Sequence, residues 1–251
     1  LAGTSWSRAS GVEGANNSLE LNFTSTTALD GNFGNLTDLT SEGNVTLSGA
    51  IATSGSQTYN GTAALAGNTS LSGSTLSLAS GVEGAGNSLD LNFSSTTALD
   101  GSFANISDLT SEGDVTLNGA ITTSGSQSYQ ANATLIGDST LTGASGIFAG
   151  SVIGGGNDLT LNFASSTALD GSFSGIANLT SLGNVSVNGT ISTTGSQNYA
   201  ANVTLTNATT IQANVANVKG TITGNNNDLT LNIATTVTID ANATMANLAN
   251  L

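Results

Sequence analysis

The chain contains no cysteine, no proline and no histidine, and only two basic residues, Arg8 and Lys219, against sixteen acidic ones. Each absence removes a class of chemistry. Without thiols there is neither a disulfide nor a thiolate metal site. Without imidazole, the commonest general base and the usual zinc ligand are missing. A formal net charge of −14 with a sequence pI near 4.1 repels phosphate backbones and acidic lipid surfaces, so nucleic acid is not an expected partner. No apolar run approaches the roughly 18 residues of a membrane span, so none is expected, and no basic segment followed by an apolar one opens the chain as an export signal would. The sequence therefore reads as a piece of a longer polypeptide.

What fills the space is small and polar. Charged residues make up 7% and aromatics 4%, while glycine alone contributes 32 of the 251 residues and Ser, Thr and Asn are abundant. Such a composition suits a solvated linker, except that Leu, Val, Ile and Phe recur at regular positions, which a linker has no physical reason to do.

The recurrence is a 70-residue repeat. Ala28-Leu29-Asp30-Gly31 returns as Ala98-Leu99-Asp100-Gly101 and as Ala168-Leu169-Asp170-Gly171. Gly55-Ser56-Gln57 with Tyr59 returns at Gly125-Ser126-Gln127 with Tyr129, and at Gly195-Ser196-Gln197 with Tyr199. Asn22, Asn92, Asn162 and Asn232 mark a fourth, partial unit. The repeats run 9–78, 79–148, 149–218 and 219–251 and form one continuous segment. Equal spacing without insertions is the signature of units stacked in line.

Within each repeat, alternation such as Leu89-Asp90-Leu91-Asn92-Phe93 places apolar side chains on one face of a strand. Strand-like apolar pairs ending at Leu21, Leu47, Leu71 and Leu91 give steps of 26, 24 and 20 residues. Coils that short cannot hold a βαβ crossover, so strand must turn directly into strand. The expected fold is all-β: a right-handed parallel β-helix, or β-solenoid, with about three coils per repeat. At ~4.8 Å per strand, equivalent carboxylates such as Asp30, Asp100 and Asp170 would lie about 14 Å apart, beyond the ~8 Å screening length. Phe23, Phe93 and Phe163, with Phe33, Phe103 and Phe173, are expected to fill the interior.

Gly43-Asn44-Val45-Thr46-Leu47-Ser48-Gly49-Ala50-Ile51, followed by Thr53-Ser54-Gly55-Ser56-Gln57-Thr58-Tyr59-Asn60-Gly61, resembles the repeats of filamentous-haemagglutinin-like adhesins. The resemblance is one of repeat style and extends over nearly the whole chain. It implies a β-helical shaft exported by two-partner secretion to the bacterial surface or extracellular matrix, serving adhesion, aggregation or biofilm structure. The expected partners are the same solenoid, continued or self-associated end to end, and extracellular polysaccharide or a neighbouring or host cell surface.

Parallel β-helices also carry polysaccharide-cleaving enzymes. A lyase needs a base that also neutralises uronate charge, and Arg8 and Lys219 lie in different repeats. A glycosidase needs paired carboxylates; Asp38 with Glu42, or Glu112 with Asp114, are near enough in sequence. Yet Asp38 and Asp108 become Asn178, and Glu42 and Glu112 become Leu182, a pattern of surface charge more than of an active site. Gly154-Gly155-Gly156-Asn157-Asp158 has one turn of a calcium-binding character but lacks tandem repetition, leaving at most a weak surface Ca²⁺ site. No catalytic, cofactor-binding or metal-binding residue is expected and the chain is read as a non-enzyme. The alternative is a carbohydrate-binding or carbohydrate-processing β-helix, with Tyr59, Tyr129 and Tyr199 on its flank, or else merely covering corners with their hydroxyls in water.

Overall fold

A computed structural model describes residues 1–251 and contains strands and turns but no helix. The chain is a parallel β-solenoid: strands pair in parallel with the segment one coil earlier and one coil later. It divides into two compact units, Leu1–Gly125 and Ser126–Leu251.

In the first unit three ladders run through successive coils. Ladder one carries Val12, Phe33, Ile51, Leu71, Leu91 and Ser111. Ladder two carries Leu19, Leu39, Gln57, Leu76, Thr97 and Val115. Ladder three carries Trp6, Thr27, Val45, Ala63, Val82, Phe103 and Ile121. All of these but Trp6, Val12 and Leu19 in the outermost coil are buried. Alternation does this work: Leu89, Leu91 and Phe93 point inward while Asp90 and Asn92 point out.

The register corrects the coil length read from the sequence. A step along any ladder is 18 to 21 residues, as in Phe33 to Ile51 and Val12 to Phe33. Three coils carry ladder one from Val12 to Leu71, and Val82, the repeat equivalent of Val12, lies two ladders further on, in ladder three. Seventy residues therefore make three and two-thirds coils, and every repeated feature moves to a different ladder in the next repeat. Leu19 of ladder two is replaced by Leu89 on ladder one, and Thr27 of ladder three by Thr97 on ladder two. Asp30 and Asp100 accordingly project from different sides, opposite Ser48 and Asn118, so separation onto different faces, not stacking at three-coil intervals, keeps their charges apart.

The second unit repeats this arrangement. One ladder holds Ala133, Val152, Phe173, Ile191, Ile211 and Leu231. Another holds Leu141, Leu161, Ser181, Tyr199, Val218 and Ile239, and the third begins Tyr129, Phe148, Leu169, Val187, Leu205. The recurring Phe side chains are interior, Phe93, Phe103, Phe163 and Phe173 at 0–1% exposure.

Corners explain the glycine and asparagine. Asn35, Asn105 and Gly175 are equivalent and all have positive φ, which Gly and Asn adopt at least cost. Corner backbone groups that miss the ladder are met by side chains of the preceding coil: Thr62 N–H donates to Asn44 Oδ1 at 3.0 Å, Ser88 N–H to Asn68 Oδ1 at 3.1 Å, and Thr221 N–H to Asn202 Oδ1 at 2.9 Å.

Candidate functional surface

Asp38 sits at a corner with its carboxylate committed to the coils on either side. Its Oδ1 accepts from the Ser56 backbone N–H and hydroxyl, both at 2.8 Å, and its Oδ2 accepts from the Ser18 hydroxyl at 3.1 Å. These bonds, the Ser56 amide foremost, hold the carboxyl below the ordinary aspartate value, opposite to what a general acid needs. Glu42 is bonded one coil on, its Oε2 accepting from Asn60 Nδ2 at 2.8 Å.

The third repeat explains the loss of Asp38's charge. Asn178 keeps the same bonds, accepting from Ser196 N–H at 2.9 Å and its hydroxyl at 3.0 Å. The residue one coil below has changed in step: Ser18 and Ser88 become Asp158, whose Oδ1 accepts from Asn178 N–H and Nδ2 at 3.0 and 2.9 Å. A carboxylate at 178 would face that of Asp158, so the charge has moved one coil and the acceptor at the corner has stayed. The role conserved between repeats is acceptance of a hydrogen bond.

Gly154-Gly155-Gly156-Asn157-Asp158 forms a corner. Asn157 Nδ2 donates to the carbonyls of Gly154 and Leu135 at 3.0 and 3.1 Å, just as Asn87 Nδ2 donates to those of Gly84 and Leu65. A Cβ at residue 154 would stand 2.4 Å from Ile176 Cα, so the glycine permits close passage of the next coil. No cluster of three or more acidic residues is formed on the chain.

Tyr59, Tyr129 and Tyr199 neither line the flank nor reach water: all three are 0–1% exposed. Each phenol donates to the glutamine two residues earlier, Gln57, Gln127 or Gln197, at 2.9, 3.0 and 2.7 Å. Gln57 Nε2 in turn donates to the carbonyls of Ile51 and Ser72 at 3.0 and 2.8 Å, and Gln197 Nε2 to those of Ile191 and Gln212 at 2.9 and 2.8 Å. Burial pushes the phenols well above their ordinary pKa. The motif was visible as Gly-Ser-Gln-x-Tyr at constant spacing; its inward direction was not, because a strand with both polar and aromatic members satisfies alternation on either face. The interior also holds three equivalent hydroxyls, Thr27, Thr97 and Thr167, without a hydrogen-bond partner.

On the flank of the second unit lies a hollow of about 460 Å³ lined by Thr180, Leu182, Asn198, Ala200, Asn217 and Lys219, among others. It gathers residues that the sequence pointed to only singly. Compared with protein-family models, with curated proteins and with solved structures, the chain matches none.

Proposed function

We propose that the chain is a structural and adhesive shaft of a secreted bacterial surface or biofilm-matrix fibre, of filamentous-haemagglutinin-like type, mediating attachment between cells or between cell and surface. The observation that carries this reading is where the polar side chains are spent. Asp38, Glu42, Asn44, Asn68, Asn157 and Asn178 each bond a neighbouring coil, so the groups that catalysis would require are used to fasten coil to coil. The strand Leu229–Ile239 adds a second support. Leu231, Ile233 and Ile239 are half-buried and Val237 is 42% exposed, whereas the equivalent Leu161, Phe163, Leu169 and Thr167 are buried. A further coil of the same kind, from the same polypeptide or a second copy, matches that apolar edge.

The test is made in bacteria that produce the chain. An epitope inserted at Gly86, where the surface is open, is expected to be reached by antibody on intact cells or shed matrix, and deletion of residues 1–251 to reduce attachment. An epitope found only inside the cell would overturn the reading.

A further inference from the structure

The third repeat departs from the first along one outward column of the second unit. Leu182, Ala200 and Lys219 follow one another there, their backbone N–H groups bonded to Leu161, Ser181 and Tyr199 of the preceding coils. The equivalents in the first repeat are Glu42, Asn60 and Ala79, and Glu42 is bonded to Asn60 at 2.8 Å. The three substitutions remove a carboxylate, exchange an asparagine for the smallest side chain with a Cβ, and place the chain's single lysine one coil further on. The result is the 460 Å³ hollow, with exposed Leu182 on one side and exposed Lys219 on the other.

Beside that column runs a second one of uncharged hydrogen-bonding groups: Thr180, Asn198, Asn217 and Thr238 pair in consecutive coils, ~4.8 Å apart. Their counterparts in the first repeat are Thr40, Thr58, Ser77 and Ala98, so the third repeat has the longer amides. Asn217 Nδ2 donates to Asn198 Oδ1 at 2.7 Å, and Asn198 Nδ2 to Ser196 Oγ at 3.1 Å. The amides are thereby oriented, each keeping a second N–H for a ligand. Of the sixteen acidic residues, eleven lie in residues 1–125 and five beyond, so an anion meets less repulsion on this unit than on the first.

We propose that this hollow is a binding site for an acidic polysaccharide segment, with one uronic-type carboxylate paired to Lys219. The saccharide lies along the Thr180–Asn198–Asn217 column, whose amides and hydroxyls meet its ring hydroxyls, while Leu182 and the dip at Ala200 receive an apolar ring face. The carboxylate seats on the Ala200 side of Lys219, away from Asp240, the next residue of the column. An extended peptide is disfavoured because strand addition requires an open ladder edge, and the backbone groups along this flank are already paired between coils. The site stands on its own geometry and holds whether or not the chain serves as a shaft.

The test is calorimetric titration of the 251-residue chain with oligomers of galacturonate, alginate and hyaluronan, and with methyl-esterified galacturonate oligomers. At least one acidic oligomer is expected to bind, and to weaken by about ten-fold on esterification or in Lys219→Ala. The triple variant Leu182→Glu/Ala200→Asn/Lys219→Ala installs the residue set that the first repeat already folds with, so loss of binding there reads the site and not the fold; circular dichroism checks that directly. No binding by any acidic oligomer, equal binding by the triple variant, or equal binding of the esterified oligomer would overturn the proposal. Tighter, Lys219-dependent binding of a Glu-rich peptide would overturn its saccharide part.

Discussion

Replacing Gln57 by leucine retains a buried side chain of similar volume but removes an amide on which three groups depend. Its Nε2 serves the carbonyls of Ile51 and Ser72, and its Oε1 receives the Tyr59 hydroxyl, with both side chains at 0% exposure. Each interior polar group left without a partner costs about 1–3 kcal/mol, and the two carbonyls keep part of their bonding through the ladder, so Gln57→Leu is expected to cost about 3–5 kcal/mol. Tyr59→Phe orphans only Gln57 Oε1 and is expected to cost about 1–2 kcal/mol. The double variant removes hydroxyl and acceptor together, so it should cost less than the two single changes summed, by about 1–2 kcal/mol. Because a solenoid transmits damage mainly to nearest neighbours, the assay is amide hydrogen exchange resolved by peptide. In Gln57→Leu the strands Val45–Thr53, Ser56–Tyr59 and Thr75–Leu78 should exchange about 100-fold faster or more, while Trp6–Arg8 keeps its wild-type rate. Unchanged exchange around residue 57, or strict additivity in the double variant, would refute the claim that the glutamine is an internal fastener.

Three further outcomes follow from the same geometry. Asp38 has a lowered pKa in the folded chain, so its contribution is present above the unfolded carboxylate value and is lost as pH falls through the lower folded value; Asp38→Asn, which copies Asn178, should keep the corner bonds and remove that part of the acid sensitivity, seen as a smaller drop in melting temperature between neutral and acid pH. Thr97→Val replaces a hydroxyl that is buried without a partner, and should raise stability by about 1 kcal/mol in urea unfolding; an equal loss would mean that a buried water satisfies it. Gly154→Ala brings a Cβ to 2.4 Å from Ile176 Cα and should cost more than about 3 kcal/mol, whereas Gly86→Ala meets nothing within 4 Å and bears only the strain of φ +81°, about 1 kcal/mol; similar melting temperatures for the two would show that the coils give way.

Stacked parallel coils were legible because only in-line packing preserves a 70-residue spacing without insertions. The coil length was not. Of the markers Leu21, Leu47, Leu71 and Leu91, the first belongs to ladder two, the second to ladder three and only the last two to the same ladder. The step of 20 residues from Leu71 to Leu91 was thus a true coil, while those of 26 and 24 each passed from one side to another. Nothing in an alternating apolar pattern names the side on which it lies, since all three ladders bury the same kinds of residue. The surface was harder still: Asp38 and Asn178 looked like a lost carboxylate until the ladder brought Asp158 beneath one and Ser18 beneath the other.

Repeat length and coil length are independent periods, and their mismatch limits what repetition can build. A feature carried once per repeat turns to a new ladder each time, as Leu19 and Leu89 do, and returns to its starting side only after three repeats, or eleven coils. Copying a binding residue once per repeat therefore cannot create a row of sites along one flank. Rows on one flank come instead from neighbouring coils within a repeat, as Thr180, Asn198 and Asn217 do, and their residues are free to differ from the corresponding ones elsewhere. Coil fastening tolerates copying because Gln57 and Tyr59 act inside, where every side of the solenoid presents the same interior. Recognition is expected where a repeat breaks its own pattern on a single side, and the column Leu182, Ala200, Lys219 is such a break.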